Sequence, residues 1–193
     1  MSTVKLTGAT SGTISLVPTA IAGSNTITFP AETGTLRSTV SSGTVLQIVN
    51  YQTGAVATGT TLIPPDDTIP QNTEGNEYMS LAITPRSATS KLLIEVTFLA
   101  APNANQYITC ALFQDSTANA LSAVTEVNGS ADWSVTLSFS HVMTSGTTSS
   151  TTFKVRGGGN TAGTTTFNGS VSAGVRVFGG VSGSSITITE YVP

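Results

Sequence analysis

The chain has 193 residues, a formal net charge of −3, 9% charged and 38% hydrophobic residues, and a single cysteine. Lys5, Arg37, Arg86, Lys91, Lys154, Arg156 and Arg176 are scattered singly, which argues against a counterion-releasing nucleic-acid surface. A single cysteine excludes an intrachain disulfide framework, and no apolar run approaches membrane length, so membrane insertion is not expected. Val, Ile and Thr dominate and no helical 3.6 spacing is present, so the expected class is all-β.

The first elements are short and strand-like. "VKLTG", "GTISLVP", "NTITFP" and "GTL" alternate apolar and small polar residues, with Pro18 and Pro30 at strand ends. The expectation is a β-prism-like N-terminal arm over residues 1–38, intertwining in a trimer and bearing Val4, Leu6, Ile14, Leu16, Ile27, Phe29 and Leu36 as partner-binding residues. Ordering about 38 residues costs roughly 1–2 kcal/mol each in backbone entropy. Burying each of these side chains returns only about 1.5–3 kcal/mol. The arm therefore needs apolar surface from another chain, either copies of itself around a threefold axis or a host surface on which it lies; the alternative is a disordered N-terminal tail, which the strict alternation and low charge disfavour.

A polar, Ser-rich joint follows in "RSTVSSGTV", with residues 39–44 as linker and 45–193 as the body. "VLQIVNYQTG" opens the body, and the Pro-punctuated "IPPDDTIPQNTEGNEY" comes next. Strands are then expected in "YMSLAITP", "SKLLIEVTFLAAP", "QYITCALFQD", "DWSVTLSFSHVM", "TTFKVRGG", "TTTFNGS", "GVRVFGGV" and "SITITEYVP". About nine strands at roughly ten-residue spacing predict an antiparallel β-sandwich or jelly roll. In "SKLLIEVTFLAAP" the period places Leu92, Ile94, Val96 and Phe98 on one face, with Glu95 and Thr97 opposite. In "DWSVTLSFSHVM" it aligns Trp133, Val135, Leu137, Phe139 and His141 on a buried face.

Few residues carry chemistry. His141 is the one histidine, it lies in strand register, and no nucleophile motif accompanies it. Cys110 reads as a buried strand thiol. One His and one Cys cannot supply the roughly four ligands of a zinc site. "RGGGNTAGTT", Arg156 to Thr165, lacks the lysine and the following helix of a phosphate loop and reads as a glycine-rich hairpin loop. "NGS" at Asn128 and Asn168 reads as Asn-Gly turns with positive φ. Asp66, Asp67, Glu74 and Glu77 cluster in sequence as an alternative calcium loop, but without the alternate-residue acidic pattern of an EF-hand. A glycosidase pair is also conceivable there, although sugar-binding aromatics are sparse. The expectation is a protein with no catalytic residue, cofactor or metal.

Two stretches bear a resemblance. "TVKLTGATSGTISLVPTAIAGSNTITFPAETGTL" resembles a short β unit recurring in bacteriophage fibres and related virion appendages. "DDTIPQNTEGNEYMSLAITPRSATSKLLIEV" resembles a segment of small phage and prophage structural proteins of the tail-fibre or head-decoration kind. The terminal "FNGSVSAGVRVFGGVSGSSITITEYVP" fits the end of a jelly roll. The resemblance implies a phage virion protein that works as a homotrimer. The lack of a catalytic constellation adds the expectation that it is non-enzymatic, and a start, "MSTVKLTGATSG", without the apolar core of a secretory signal adds assembly in the host cytoplasm before display on the virion surface. Two roles remain open. One is a capsid decoration (cement) protein whose arm grips the major capsid protein; the other is a tail fibre or fibre tip that joins tail components and reads a host surface receptor through "NAN" and "GGGNTAG".

Overall fold

The computed structural model describes residues 4–7, 13–16, 41–131, 133–170 and 175–193. The chain divides into two units, Met1–Ser38 and Thr39–Pro193. In the first, β1 (Val4–Thr7) and β2 (Thr13–Leu16) pair antiparallel, with Val4 opposite Leu16 and Leu6 opposite Ile14. Four of the expected arm residues thus form two cross-strand pairs; Ile27, Phe29 and Leu36 lie outside the described residues.

The second unit carries β3 (Val45–Thr53), β4 (Ala57–Gly59), β5 (Asn76–Ile83), β6 (Lys91–Pro102), β7 (Gln106–Gln114), β8 (Ser122–Asn128) and β9 (Val135–Thr144). It continues with β10 (Thr151–Gly159), β11 (Thr165–Phe167), β12 (Gly169–Ser170), β13 (Val175–Arg176), a 3-10 turn at Phe178–Gly180, and β14 (Ser184–Tyr191). One sheet has the order β5-β10-β7-β8; in the other, β3, β14, β6 and β9 lie side by side. Short β11 continues the β14 edge of β6, because Ala100 pairs with Phe167 on one side and Val135 on the other. Counting the eight long strands in chain order, the sheets run second–seventh–fourth–fifth and first–eighth–third–sixth. That is the strand order of a jelly roll, a double-sheet sandwich without barrel closure.

Alternation builds the core. Leu92, Ile94, Val96 and Phe98 of β6, with Ile186 and Ile188 of neighbouring β14, pack against Ile108, Cys110 and Leu112 of β7 and Phe153 and Val155 of β10, all of them buried. Of the outward positions of β6, Glu95 is exposed and Lys91, Leu93 and Thr97 are half-buried. At one end the Tyr78, Phe98 and Phe167 rings cluster with centroids 4.9–5.7 Å apart. Burial pushes the Tyr78 hydroxyl up to about 12, and its O–H donates to the Thr165 carbonyl at 3.3 Å.

Several expectations are corrected. Leu137, Phe139 and His141 do face inward as Val135 does, but Trp133 precedes β9 and is 72% exposed. The period-two alternation of the sequence runs one step beyond the strand. "GVRVFGGV" forms only the two-residue β13 before turning at Phe178–Gly180, where two glycines take positive φ. β8, unmarked by any large apolar run, is a full edge strand.

The glycine-rich stretch is also different from the hairpin loop expected. Gly157, Gly158 and Gly159 complete β10 and pair with Cys110, Thr109 and Ile108, and only Asn160 onward forms the loop. A Cβ on Gly157 would lie 2.4 Å from the Phe98 ring, and one on Gly158 2.4 Å from the Thr61 carbonyl oxygen. Side-chain absence here lets an aromatic ring and a crossing backbone approach the two faces of one strand.

Candidate interaction surfaces

The segment from Thr60 to Gly75 crosses the outer face of the β5-β10-β7-β8 sheet as a strap. Ile63 is fully buried on Ala111 and Phe113, and its amide donates to the Gly159 carbonyl at 3.0 Å. Gly75, at φ +61°, donates to Leu62 O, while Arg156 Nε and Nη2 donate to the Glu74 and Gly75 carbonyls at 2.8 and 2.7 Å. Farther along, the Asn72 amide donates to Ala118 O at 2.7 Å and its side chain reaches Ser116 O and Thr117 O, both at 3.2 Å. Gln71 Nε2 donates to Asn119 Oδ1, and Ala120 N donates to Pro70 O. The unusual string "DDTIPQNTEG" is thereby accounted for: its Gln, Asn and Gly residues hold a backbone that has no neighbouring strand over most of its length.

Three of the four carboxylates of the calcium alternative have different partners, and the fourth, Asp67, lines a groove beside Asp66. Asp66 Oδ1 accepts from the Thr68 hydroxyl and amide, which hold its carboxyl below the usual range. Glu74 Oε2 accepts from the Gln71 amide at 2.8 Å. Glu77 Oε2 lies 3.6 Å from Arg156 Nη1 and 4.0 Å from Lys154 Nζ. Among the described residues no three His, Cys, Asp or Glu side chains converge as a metal group. Between the strap and β8 run two adjoining open grooves of about 410 and 360 Å³, sharing Asp66, Thr68, Pro70 and Ala123.

The end of the body where β6 finishes and β14 begins exposes large apolar side chains. Trp133 (72%), Val175 (53%), Phe178 (78%) and Val181 (87%) all project there. The segments are tied together: Ser134 Oγ donates to Gly169 O, Gly169 pairs with Arg176, and Ser170 with Val175. Asn128 does not take positive φ; its Oδ1 accepts from Ser130 N and its Nδ2 donates to Trp133 O, shaping the loop that presents the tryptophan. Asn168 does take positive φ (52°), yet it is fully buried and bridges Thr53 O, Ala55 O and Ser184 Oγ. The "NAN" and "GGGNTAG" loops lie at this same end. Asn103 closes on Thr164, and Asn160 on Tyr107, so much of their amide capacity is spent internally.

Two titratable groups are placed inside. Cys110 is fully buried in β7, and burial pushes its thiol well up. Glu190 went unnoticed in the sequence. It lies on the inward face of β14 in series with Ile186 and Ile188 and is fully buried. Burial pushes its carboxyl up, but donors from Ser90 Oγ (2.6 Å), Gln47 Nε2 (2.5 Å) and the amides of Arg86 (2.9 Å) and Ser87 (3.2 Å) outweigh it and hold it below the ordinary range. The period-two pattern of "SITITEYVP" already placed it on the core face. His141, half-buried, sits opposite Ile94 on the inner side of β9.

The described elements define an all-β, antiparallel jelly-roll body joined to an N-terminal β-hairpin unit. No protein-family model and no curated protein matches the chain. Among solved structures it is similar to VP2 of an infectious bursal disease virus subviral particle, at 11% identity over 94% of this chain and 47% of that one, TM-score 0.33. It is also similar to the Podospora anserina GH26-CBM35 β-(1,4)-mannanase (16% identity, 76% and 28% coverage, TM-score 0.34). A third is the enzymatically active domain of bacteriophage CBA120 tailspike protein 4 (15% identity, 64% and 19% coverage, TM-score 0.28). The chain spans less than half of each. Likeness at this level leaves function to be argued from the residues. No helix among the described residues is long and apolar enough to cross a membrane.

Proposed function

We propose that this chain is a non-enzymatic bacteriophage virion structural protein, a homotrimeric capsid decoration protein. Its N-terminal unit fastens to the major capsid protein, and its jelly-roll body projects from the shell. The observation that carries this reading is the asymmetry between the units. The body encloses a core built from its own strands, whereas the arm, by composition, has too little apolar bulk to close one. The jelly roll by itself is neutral, since capsid, lectin and enzyme domains share it. The phage-like stretches in both units supply the virion context, and strand pairing suits an almost uncharged arm. Three weak arms on one trimer gain through effective concentration.

Deleting Ser2–Arg37 tests the reading. The truncated protein keeps its thermal transition and loses binding to particles; undiminished binding refutes attachment through the arm. A second reading, a fibre tip that contacts a host receptor, is favoured by Trp133, Phe178 and Val181 exposed at one end of the body. Copy number separates the two. A decoration protein approaches the stoichiometry of the major capsid protein, and a fibre is present in at most a few tens of copies.

A further inference from the structure

The outer face of the β3-β14-β6-β9 sheet can be read row by row from the register. The central row is Ile48, Thr189, Leu93 and Val142. Ile48 is 61% and Val142 51% exposed. An apolar stripe, broken only by a threonine, therefore crosses four strands and faces solvent. On one side the next row is Asn50, Thr187, Glu95 and Ser140. On the other side Lys91 lies between Tyr191 and Thr144, and its Nζ donates to Thr144 Oγ1 at 2.8 Å. Lys91 and Glu95 are the charged residues of these rows, and they flank Leu93 symmetrically, two residues to each side.

We propose that this face is a two-fold contact with a second copy of the chain. An axis lying along the apolar stripe turns the sheet over and reverses its strands. Each stripe residue then meets its own counterpart, and a residue two positions before Leu93 meets the one two positions after it. Lys91 of each copy is thereby set against Glu95 of the other, twice per contact. An isologous interface needs this kind of self-complementarity. Apart from Asn50 and Tyr191, the flanking rows carry Ser and Thr at Thr187, Ser140 and Thr144, and two sheets of this kind pack at about 10 Å with strands within about 30° of alignment. Four strands by seven residues cover about 400 Å² per copy, about 800 Å² in all, which is below the roughly 1,200 Å² of standard specific interfaces and predicts a weak, transient, micromolar pairing. The inference rests on the sheet register and not on the capsid reading. Where bodies are held in threes, the same contact joins neighbouring trimers.

Sedimentation of the full chain across about 1–200 μM tests it. The expected result is a concentration-dependent species with an even number of protomers. Glu95→Lys, which sets lysine against lysine, weakens that step at least tenfold, and K91E/E95K, which restores opposite charges in exchanged positions, recovers it to within about threefold. Leu93→Thr also weakens it, with the thermal transition nearly unchanged because Leu93 is outward-facing. Only odd-numbered species, or an even-numbered species indifferent to E95K, overturns the proposal. Loss of particle binding with the even-numbered species intact would count against the decoration role and leave this contact standing.

Discussion

Replacing Glu190 probes the most demanding polar site in the body. Its carboxylate collects donors from β3 through Gln47, from the turn before β6 through Arg86 and Ser87, and from Ser90, all at 2.5–3.2 Å. Glu190→Ala removes the acceptor of the Arg86 and Ser87 amides and of one Gln47 Nε2 hydrogen in a part-buried place, whereas Ser90 Oγ keeps Ser87 O at 2.7 Å. Each donor left unpaired costs roughly 1–3 kcal/mol if dry. Water entering the vacated space recovers part of this, so the net loss is about 3–5 kcal/mol, comparable with breaking a buried ion pair. With a urea m-value of about 2 kcal/mol/M, the midpoint falls by about 2 M. Glu190→Gln turns an NH₂ group toward donors and costs a similar amount. Thr189→Ala, one residue away on the outward face, is the control and stays within about 0.5 kcal/mol.

The same residue sets a pH dependence whose sign is fixed. The folded carboxyl titrates below the ordinary 4.5, so the unfolded chain takes up its proton first as the solution is acidified. The contribution is fully present above that ordinary value and is lost as pH falls through the lower, folded one. Urea midpoints measured from pH 7 down to 3 therefore decline in wild type, and the part of that decline due to Glu190 is missing in Glu190→Gln. A variant less than 1 kcal/mol below wild type, with an unaltered acid limb, would refute the claim that this carboxylate clamps the turn.

Other outcomes follow from the same geometry. Gly158→Ala forces a Cβ against the Thr61 carbonyl and lowers stability by about 1–3 kcal/mol in chemical denaturation, an overpacking cost. Gly129→Ala, which meets nothing within 4 Å, is near neutral. Asn72→Ala removes the side-chain bonds to Ser116 and Thr117, costs about 1–2 kcal/mol, and opens the strap to limited proteolysis between Pro64 and Pro70 before the body unfolds. Trp133→Ser with Phe178→Ser, both highly exposed, leaves the thermal transition unchanged within error. A fall in host adsorption in that variant favours the fibre-tip reading over decoration.

Much of the sandwich was legible because sheet burial imposes period two. β6 and β14 show it almost without interruption, and Leu137, Phe139 and His141 of β9 obey it. What the pattern could not supply was where each strand stops. Trp133 fits the alternation and still lies outside β9, since a loop residue can keep phase with a strand that has not begun. β8 was hidden because an edge strand buries little, and its Ala123, Val124 and Val127 lack bulk. The glycines of β10 misled for the opposite reason. Gly usually marks a turn, but here Phe98 on one face and the strap on the other occupy the space of a side chain, a long-range cause that no local reading contains. Of the expected arm residues, the register joins Val4 with Leu16 and Leu6 with Ile14. Asp66, Glu74 and Glu77, read together in "DDTIPQNTEGNE", go to separate partners on a strap whose side-chain ties reach residues 44 to 82 positions away.

The shortage of charge has a physical consequence for how such a body meets others. Its outward sheet positions are held in water mainly by Ser and Thr hydroxyls, as in Ser138, Ser140, Thr187 and Thr189. A hydroxyl loses far less on desolvation than an ammonium or carboxylate does, and it finds a new partner readily. Faces of this kind can be covered and uncovered at small cost, and their contacts respond little to salt, because little long-range field exists to be screened. Lys91 and Glu95, two residues to either side of Leu93, are the charges that can supply direction on the β3-β14-β6-β9 face. Affinity there must then come from many copies acting together and not from one strong site, which is the regime in which a repeated surface, each point of it weakly held, is more stable than any of its contacts.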